Sequence, residues 1–421
     1  MTAKHFTPWI LLFAITPALV MSEPATMPLP VAEPATQQVS PEGLARLHAL
    51  VGGMVDEGKH AGAATMVVRN GKIIDWQNWG MADIDDSKPI QNDTIFRIYS
   101  MTKVITSVAA LQLVEQGKLE LDQEVVDIIP ELKGLKVYKS GTADDMVLED
   151  VRTPMTVRML LNHTAGFTYA FFKTNPVHDV YDESDLWKGN SLDDFLEVAA
   201  ELPLLKQPGA DYNYGISDDI LAIVIERVSG VKFEDYIQRN ITDPLGMVDT
   251  AYDLPESKWH RLATVYKYDD DGALVAEDED KLLSSHPMAG KGINSGGGGM
   301  FSTTGDYARF AQCLLNGGEL EGVRIIQSDT LALAMEDSLP EGSFAFGPDQ
   351  GWGLISGLQR AHPDSQSPLT PGSFTWSGAA TTHFFADPSE QLIGIIMVQQ
   401  FPYDPHQLFG SFRNAVYAAI E

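Results

Sequence analysis

The chain has few of the features that would mark a disulfide scaffold, a nucleic-acid binder or a membrane span. One cysteine, Cys313, occurs in 421 residues, so no intramolecular disulfide can form, and its apolar neighbours at 310–315 predict a buried helical thiol. Basic residues are scarce, with 29 Lys and Arg against 58 Asp and Glu and a formal net charge of −29. Nucleic acid needs clustered cations, so none is expected as a partner, and an anionic membrane surface is disfavoured as well. Long apolar runs are missing too. Residues 9–21 form an apolar stretch of about 13 residues after Lys4, short of the roughly 20 that span a bilayer, so no stable membrane anchor is expected. The stretch reads as the core of an export signal over 1–22, which would make the protein periplasmic or secreted. No cysteine follows it to take a lipid. Residues 23–39, rich in Pro, Ala and Thr and without apolar periodicity, read as a flexible linker.

Several catalytic signatures are also absent. Gly-x-Ser-x-Gly occurs nowhere, which disfavours an α/β-hydrolase nucleophile elbow. The ten histidines include no His-x-x-x-His or His-Glu-x-x-His pair, and a single cysteine gives no thiolate cluster, so no metal is expected. Gly290-Lys291-Gly292 lacks the Ser or Thr that a phosphate loop needs after its lysine. No cofactor is expected.

What is present is Ser100-Met101-Thr102-Lys103, preceded by a turn and a short extended stretch and followed by a run to about residue 116 in which nearly every residue favours helix. Ser100 then falls at a helix N-terminus, where unpaired N–H groups favour negative charge. Positions i and i+3 share a face, so the Lys103 ammonium can reach the Ser100 hydroxyl, and burial of an amine favours its use as a general base. Ser-x-x-Lys is short enough to arise by accident. Ser229-Gly230-Val231-Lys232 matches as well, but it ends a helical run with Gly230 as its C-cap, and no helix starts there.

Along the chain, Ser40-Pro41 opens a helix with Leu44, Leu47, Val51 and Met54 on one face. Two β-rich runs at 65–69 and 72–76 flank Asn70-Gly71, a favoured hairpin turn. A largely helical middle follows, and strands at 373–376, 383–386 and 392–399 precede a closing helix over about 405–420. This order predicts an α+β fold: terminal strands paired in one antiparallel sheet flanked by helices (about 40–121 and 289–421), with a helical lobe at about 122–288 and a pocket between them. The glycine run 296–299 gives either a close backbone approach or a plain loop.

Six segments, in order over about residues 42–420, then carry a resemblance. They are 96–103 around Ser100, Leu160-Leu161-Asn162-His163-Thr164-Ala165-Gly166-Phe167, Gln207-Pro208-Gly209 leading to Tyr214, Asp243-Pro244-Leu245-Gly246-Met247, 296–303, and Trp376-Ser377-Gly378-Ala379-Ala380. The chain resembles the serine hydrolases related to class C β-lactamases and, within them, the family VIII carboxylesterases. The resemblance implies a β-lactamase/penicillin-binding-protein-like domain over 40–421. Ser100 would be acylated, with Lys103 as base partner and Tyr214 as the third catalytic member. Tyr212 is the rival, but the spacing from Pro208-Gly209 favours Tyr214. The backbone N–H groups of Ser100 and Ala379 would form the oxyanion hole. His163, Thr164 and Gly166 resemble a scaffold signature.

Two departures point away from β-lactams. Ile216 stands where the β-lactamase Tyr-x-Asn motif has its amide, and Trp376-Ser377-Gly378 replaces Lys-Thr-Gly, removing the cation that would meet a carboxylate. Both match the esterase pattern. Pocket candidates are Trp376, Ser377, Gly378, Phe167 and Tyr169, and for Trp376 and the aromatics at 167–172 a packing role stands equally open. The expected activity is hydrolysis of a small carboxylic ester through an acyl-serine. The alternatives are a β-lactamase or D-amino-peptidase, acyl transfer to an alcohol or amine, and a non-catalytic binding protein.

Overall fold

The computed structural model describes residues 27–282 and 290–421. The expected export signal and the first residues of the expected linker lie outside them. An eight-stranded sheet organises the rest: β1 (Gly62–Arg69), β2 (Lys72–Asp83), β3 (Lys88–Pro89), β4 (Gln350–Trp352), β5 (Gly357–Gln359), β6 (Phe374–Gly378), β7 (Thr382–Asp387) and β8 (Leu392–Met397). Their spatial order is β4-β5-β6-β7-β8-β1-β2-β3, antiparallel throughout. Strands from early and late in the sequence therefore meet in one sheet, with Ala64 opposite Met397 and Arg69 opposite Leu392. The β1–β2 hairpin turns on Asn70 and Gly71 at φ +53° and +73°, the sign a type I′ turn requires at both positions.

Helices cover both faces of the sheet, and β1 is buried along its whole length for that reason. Side chains alternate between the faces. Ala63 and Val67 share a core with Leu44, Leu47 and Val51 of helix Pro41–Asp56 and with Phe409, Phe412 and Val416 of helix Leu408–Tyr417. Ala64, Met66 and Val68 face the other way, into the main core with helices Thr102–Glu115 and Thr304–Leu315. Burying each large aliphatic side chain contributes about 1.5–3 kcal/mol. Ser40 Oγ accepts the Gly43 N–H at 3.2 Å and Pro41 opens the first helix, as their residue types predict.

The middle segment carries helices Val157–Leu161, Pro176–Glu183, Leu192–Ala199, Ser217–Ser229 and Phe233–Ile237, together with two small hairpins. Helix Ser217–Ser229 packs directly on Thr102–Glu115 and brings the segment against the helix that Ser100 precedes. It stops at Gly230, at φ +74° with its N–H on Glu226 O, so the second Ser-x-x-Lys does lie at a helix end.

Two local expectations differ from what is found. The described part of the 23–39 stretch is not a free tether. Leu29 is buried in the main core and Val39 in the second, the Ile73 N–H donates to Pro30 O at 2.8 Å, and Arg309 Nη1 donates to Pro28 O at 2.5 Å. Prolines lack N–H groups but keep their carbonyls, and isolated anchors such as Leu29 produce no periodic signal. The closing helix starts at Leu408 and not near 405, because Asp404 and Gln407 take left-handed conformations at φ +44° and +53°.

Candidate active site

Ser100 sits in a single 3₁₀ turn, Tyr99–Met101, that runs into helix Thr102–Glu115. The approach to this turn is clamped. Strand Phe96–Arg97 pairs with Phe301–Ser302, and the Gln399 amide brackets Arg97, accepting its N–H at 2.8 Å and donating to its carbonyl at 3.0 Å. Tyr99 is held at φ +42°, which costs a non-glycine residue of order 1–3 kcal/mol. Its ring edge on Phe401, 5.7 Å between centroids, helps to hold it there.

One turn on, Lys103 is 1 % exposed. Its Nζ donates to Ser100 Oγ at 3.3 Å, to the Tyr169 hydroxyl at 3.0 Å and to Gly297 O at 2.6 Å. The same nitrogen stands 4.9 Å from the Tyr214 ring centroid and 5.2 Å from that of Tyr169. The structure thus brings Ser100, Lys103 and Tyr214 together from helix Thr102–Glu115 with its leading turn and from the loop before helix Ser217–Ser229. Tyr212 instead packs on His163, Phe346 and Trp352, and its buried hydroxyl has no hydrogen-bond partner among the described residues.

The glycine run makes a close backbone approach. A Cβ on Gly296 would collide with the Asp218 carbonyl. Gly378 does the same for β6: a Cβ there would strike Ile98 O and Thr382 Oγ1, so only a bare Cα lets this strand lie against the turn that carries Ser100. Ala379 and Ala380, just beyond, pack with Tyr99.

The remaining pocket candidates separate. Trp376 meets Tyr214 at 5.2 Å, Trp352 at 4.3 Å and Phe346 at 5.7 Å between centroids, and forms a wall of the site. Ser377, next along the strand, hydrogen-bonds His383 Nδ1 at 2.8 Å, and the His383 ring stacks on Phe409 of the closing helix. That places Ser377 on the opposite sheet face from Trp376. Phe167 is fully buried in the main core, so the packing alternative holds for it. Tyr169 lies at the centre of the site, in contact with Lys103.

His163 and its neighbours form the floor. The imidazole packs 4.9 Å from both Tyr214 and Trp352, and its Nε2 lies 3.2 Å from Asp218 Oδ2. Burial pushes the His163 pKa below its ordinary value. Burial also holds the Tyr169 hydroxyl well above the usual phenol range, with the negative charge of Asp219 adding to it. Burial raises the Asp219 carboxyl too, opposed by Lys103. The sequence reading missed Asp218, Asp219, Trp352 and Phe346. Two adjacent carboxylates directly before the apolar run 220–225 were the available signal, because a fully buried stretch of helix does not carry charge without a partner.

The strained turn that carries Ser100, the buried lysine of the helix it opens and a tyrosine from the helical flank meet beside strand β6 of the antiparallel sheet, an arrangement suited to acyl transfer through a serine. The family model described as Beta-lactamase matches residues 47–418, and the chain belongs to that family. Esterase EstB of Burkholderia gladioli is 28% identical over 396 residues, covering 89% of this chain and 95% of the relative. Monacolin J acid methylbutanoyltransferase of Aspergillus terreus is 28% identical over 362 residues, 79% of this chain and 84% of that one. The solved structure of EstCE1, described as a hydrolase with promiscuous acyltransferase activity, has the same fold, with TM-score 0.75 and 24% identity over 89% of this chain and 99% of its own. The protein is a β-lactamase-family serine hydrolase or acyltransferase.

Proposed function

We propose that the protein is a carboxylesterase that works through an acyl-enzyme on Ser100. The observation that carries this reading is the contact of Lys103 Nζ with Ser100 Oγ beside the Tyr214 ring, in a site walled by Trp376 and Trp352. Where a β-lactamase would offer an ammonium from this strand, Trp376 offers an apolar face, which suits a neutral ester better than a carboxylate-bearing lactam.

In this mechanism Tyr214, its phenolate supported by the Lys103 ammonium beside it, takes the proton from Ser100, whose oxygen attacks the ester carbonyl. The backbone N–H groups of Ser100 and Ala379 take the developing oxyanion, a contribution typically worth about 10²–10³ in rate per donor. The C–O bond breaks, the proton passes to the leaving alcohol, and water then releases the acid from the acyl-serine. The expected export signal would place this chemistry in the periplasm or outside the cell.

A second acceptor in place of water is supported by the rim. Two exposed aromatic side chains, Phe171 and Phe346, stand at the site. Phe171 stacks on Tyr169 at 5.1 Å, and Phe346 sits over Tyr214 at 6.0 Å and Trp376 at 5.7 Å. Such a rim gives an apolar alcohol a seat next to the acyl group, as acyl transfer needs.

The test compares kcat/KM for p-nitrophenyl butyrate and a chromogenic cephalosporin, with Ser100→Ala as the blank, and adds an alcohol to the ester assay. Ester turnover lost in the variant, with little cephalosporin cleavage, supports the esterase. Dominant cephalosporin cleavage would overturn it, and ester product in place of acid would favour the transferase.

A further inference from the structure

Asp219 has no part in the steps above, yet it touches the groups that hold Lys103. It lies in the first turn of helix Ser217–Ser229 and is completely buried. Its Oδ1 accepts from Ser295 Oγ at 2.5 Å and from the Gly297 N–H at 3.0 Å. Its Oδ2 has no hydrogen-bond partner among the described residues. That oxygen points at the bare Cα of Gly297: a Cβ there would stand 2.7 Å from Asp219 Oδ2, 2.8 Å from the Tyr169 hydroxyl and 3.1 Å from Lys103 Nζ. Three polar groups converge on one spot that only glycine leaves open.

An ammonium has three N–H donors, and all three of Lys103 are used, on Ser100 Oγ, Tyr169 OH and Gly297 O. Asp219 touches the setting of two of these acceptors. It holds the Gly297 peptide by its N–H, and it stands beside the Tyr169 hydroxyl. We propose that Asp219 is a positioning residue for the Ser100 reaction: its carboxylate fixes the Gly297 peptide and gives the Lys103–Tyr169 pair its counter-charge, leaving the third N–H of Lys103 aimed at Ser100. This rests on the reading of Ser100 as the nucleophile.

The titratable groups that face Asp219 are Lys103 from helix Thr102–Glu115, Tyr169 from the loop after helix Val157–Leu161, Tyr252 from the segment beyond, and the neighbouring Asp218, which is paired with His163. An asparagine at 219 can still accept from Ser295 and Gly297 through its carbonyl oxygen. It removes the charge and turns an NH₂ group toward Lys103.

The experiment measures Ser100 labelling by a fluorophosphonate and kcat and KM for p-nitrophenyl butyrate from pH 5 to 10, with thermal melts, for the full chain, Asp219→Asn and Ser295→Ala. Asp219→Asn is expected to slow labelling and kcat at least about 10-fold with KM within about threefold. It also moves the alkaline limb of the profile to lower pH, because removing a buried negative charge eases proton loss from its neighbours. Ser295→Ala keeps the charge but leaves the carboxylate held by the Gly297 N–H alone, and should slow labelling about fivefold with the limb in place. Wild-type rates and profile in Asp219→Asn overturn the proposal, as does a rate loss that only tracks the melt with the limb unmoved. If Asp219→Asn does not fold, a wild-type labelling rate in Ser295→Ala overturns it instead. An unlabelled wild-type protein would overturn the Ser100 reading and this proposal together, which distinguishes the two failures.

Discussion

Replacing Gly297 with alanine would push a methyl group into the space where Asp219, Tyr169 and Lys103 meet. The methyl carbon would lie 2.7, 2.8 and 3.1 Å from Asp219 Oδ2, Tyr169 OH and Lys103 Nζ. An ordinary carbon–heteroatom contact is about 3.4 Å, so the two oxygens must retreat by about 0.6–0.7 Å and the amine by about 0.3 Å. The backbone cannot absorb this freely, since Gly297 N and O are both committed, to Asp219 and to Lys103. A misplacement approaching 1 Å costs up to about 10²-fold in rate, which sets the expectation at about 10–10²-fold in kcat. KM should stay within about threefold, because Trp376, Trp352 and Phe346 are untouched. Overpacking should also lower stability by about 1–3 kcal/mol. The assay is kcat and KM on p-nitrophenyl butyrate beside urea unfolding of the same preparation. A folded Gly297→Ala protein with wild-type kcat would refute the argument that these three groups share one constrained arrangement around the nucleophile.

Other outcomes follow from the same geometry. Tyr214→Phe should lower kcat about 10²–10⁴-fold while Tyr212→Phe stays within a few-fold, measured on one ester; the reverse order would move the third catalytic role to Tyr212. Phe346→Ala should raise KM about 2–10-fold for aryl or long-chain esters and little for an acetate, because an aromatic contact is worth about 0.5–1.5 kcal/mol beyond its area. Burial pushes the Asp306 carboxyl up to about 6, against hydrogen bonds from the Asp249 N–H and the Thr250 hydroxyl. The folded state therefore holds this proton more tightly than the unfolded one, and the stability it contributes is full below about pH 4 and lost as pH rises through about 6. Urea unfolding from pH 4 to 7 should show a decline from this group of at most about 3 kcal/mol that Asp306→Asn removes; identical pH slopes would contradict it.

The parts of the fold that could be read from the residues are those with a local physical cause. Asn70-Gly71 could be placed because both residues must take positive φ, and Ser40-Pro41 because a cap and a proline at the first helical position act within one turn. The same reasoning separated Ser100 from Ser229, since one starts a helix and the other precedes a left-handed Gly230. What was not legible depends on contacts distant in sequence. Nothing within 23–39 shows that Pro30 and Ala32 bond to Ile73, and nothing near Phe167 says which face of its loop turns inward. Asp219 acquires its surroundings from residues 103, 169, 295 and 297, so its place beside Lys103 emerges only when helix Ser217–Ser229 packs on the nucleophile helix.

The account depends most directly on an acyl bond at Ser100. Rapid quenching of the protein with p-nitrophenyl butyrate, followed by intact and peptide mass analysis, should show one butyryl adduct on the peptide that carries Ser100, formed in a burst with p-nitrophenol and absent from Ser100→Ala. An adduct on another residue, or undiminished ester turnover in Ser100→Ala, would contradict it.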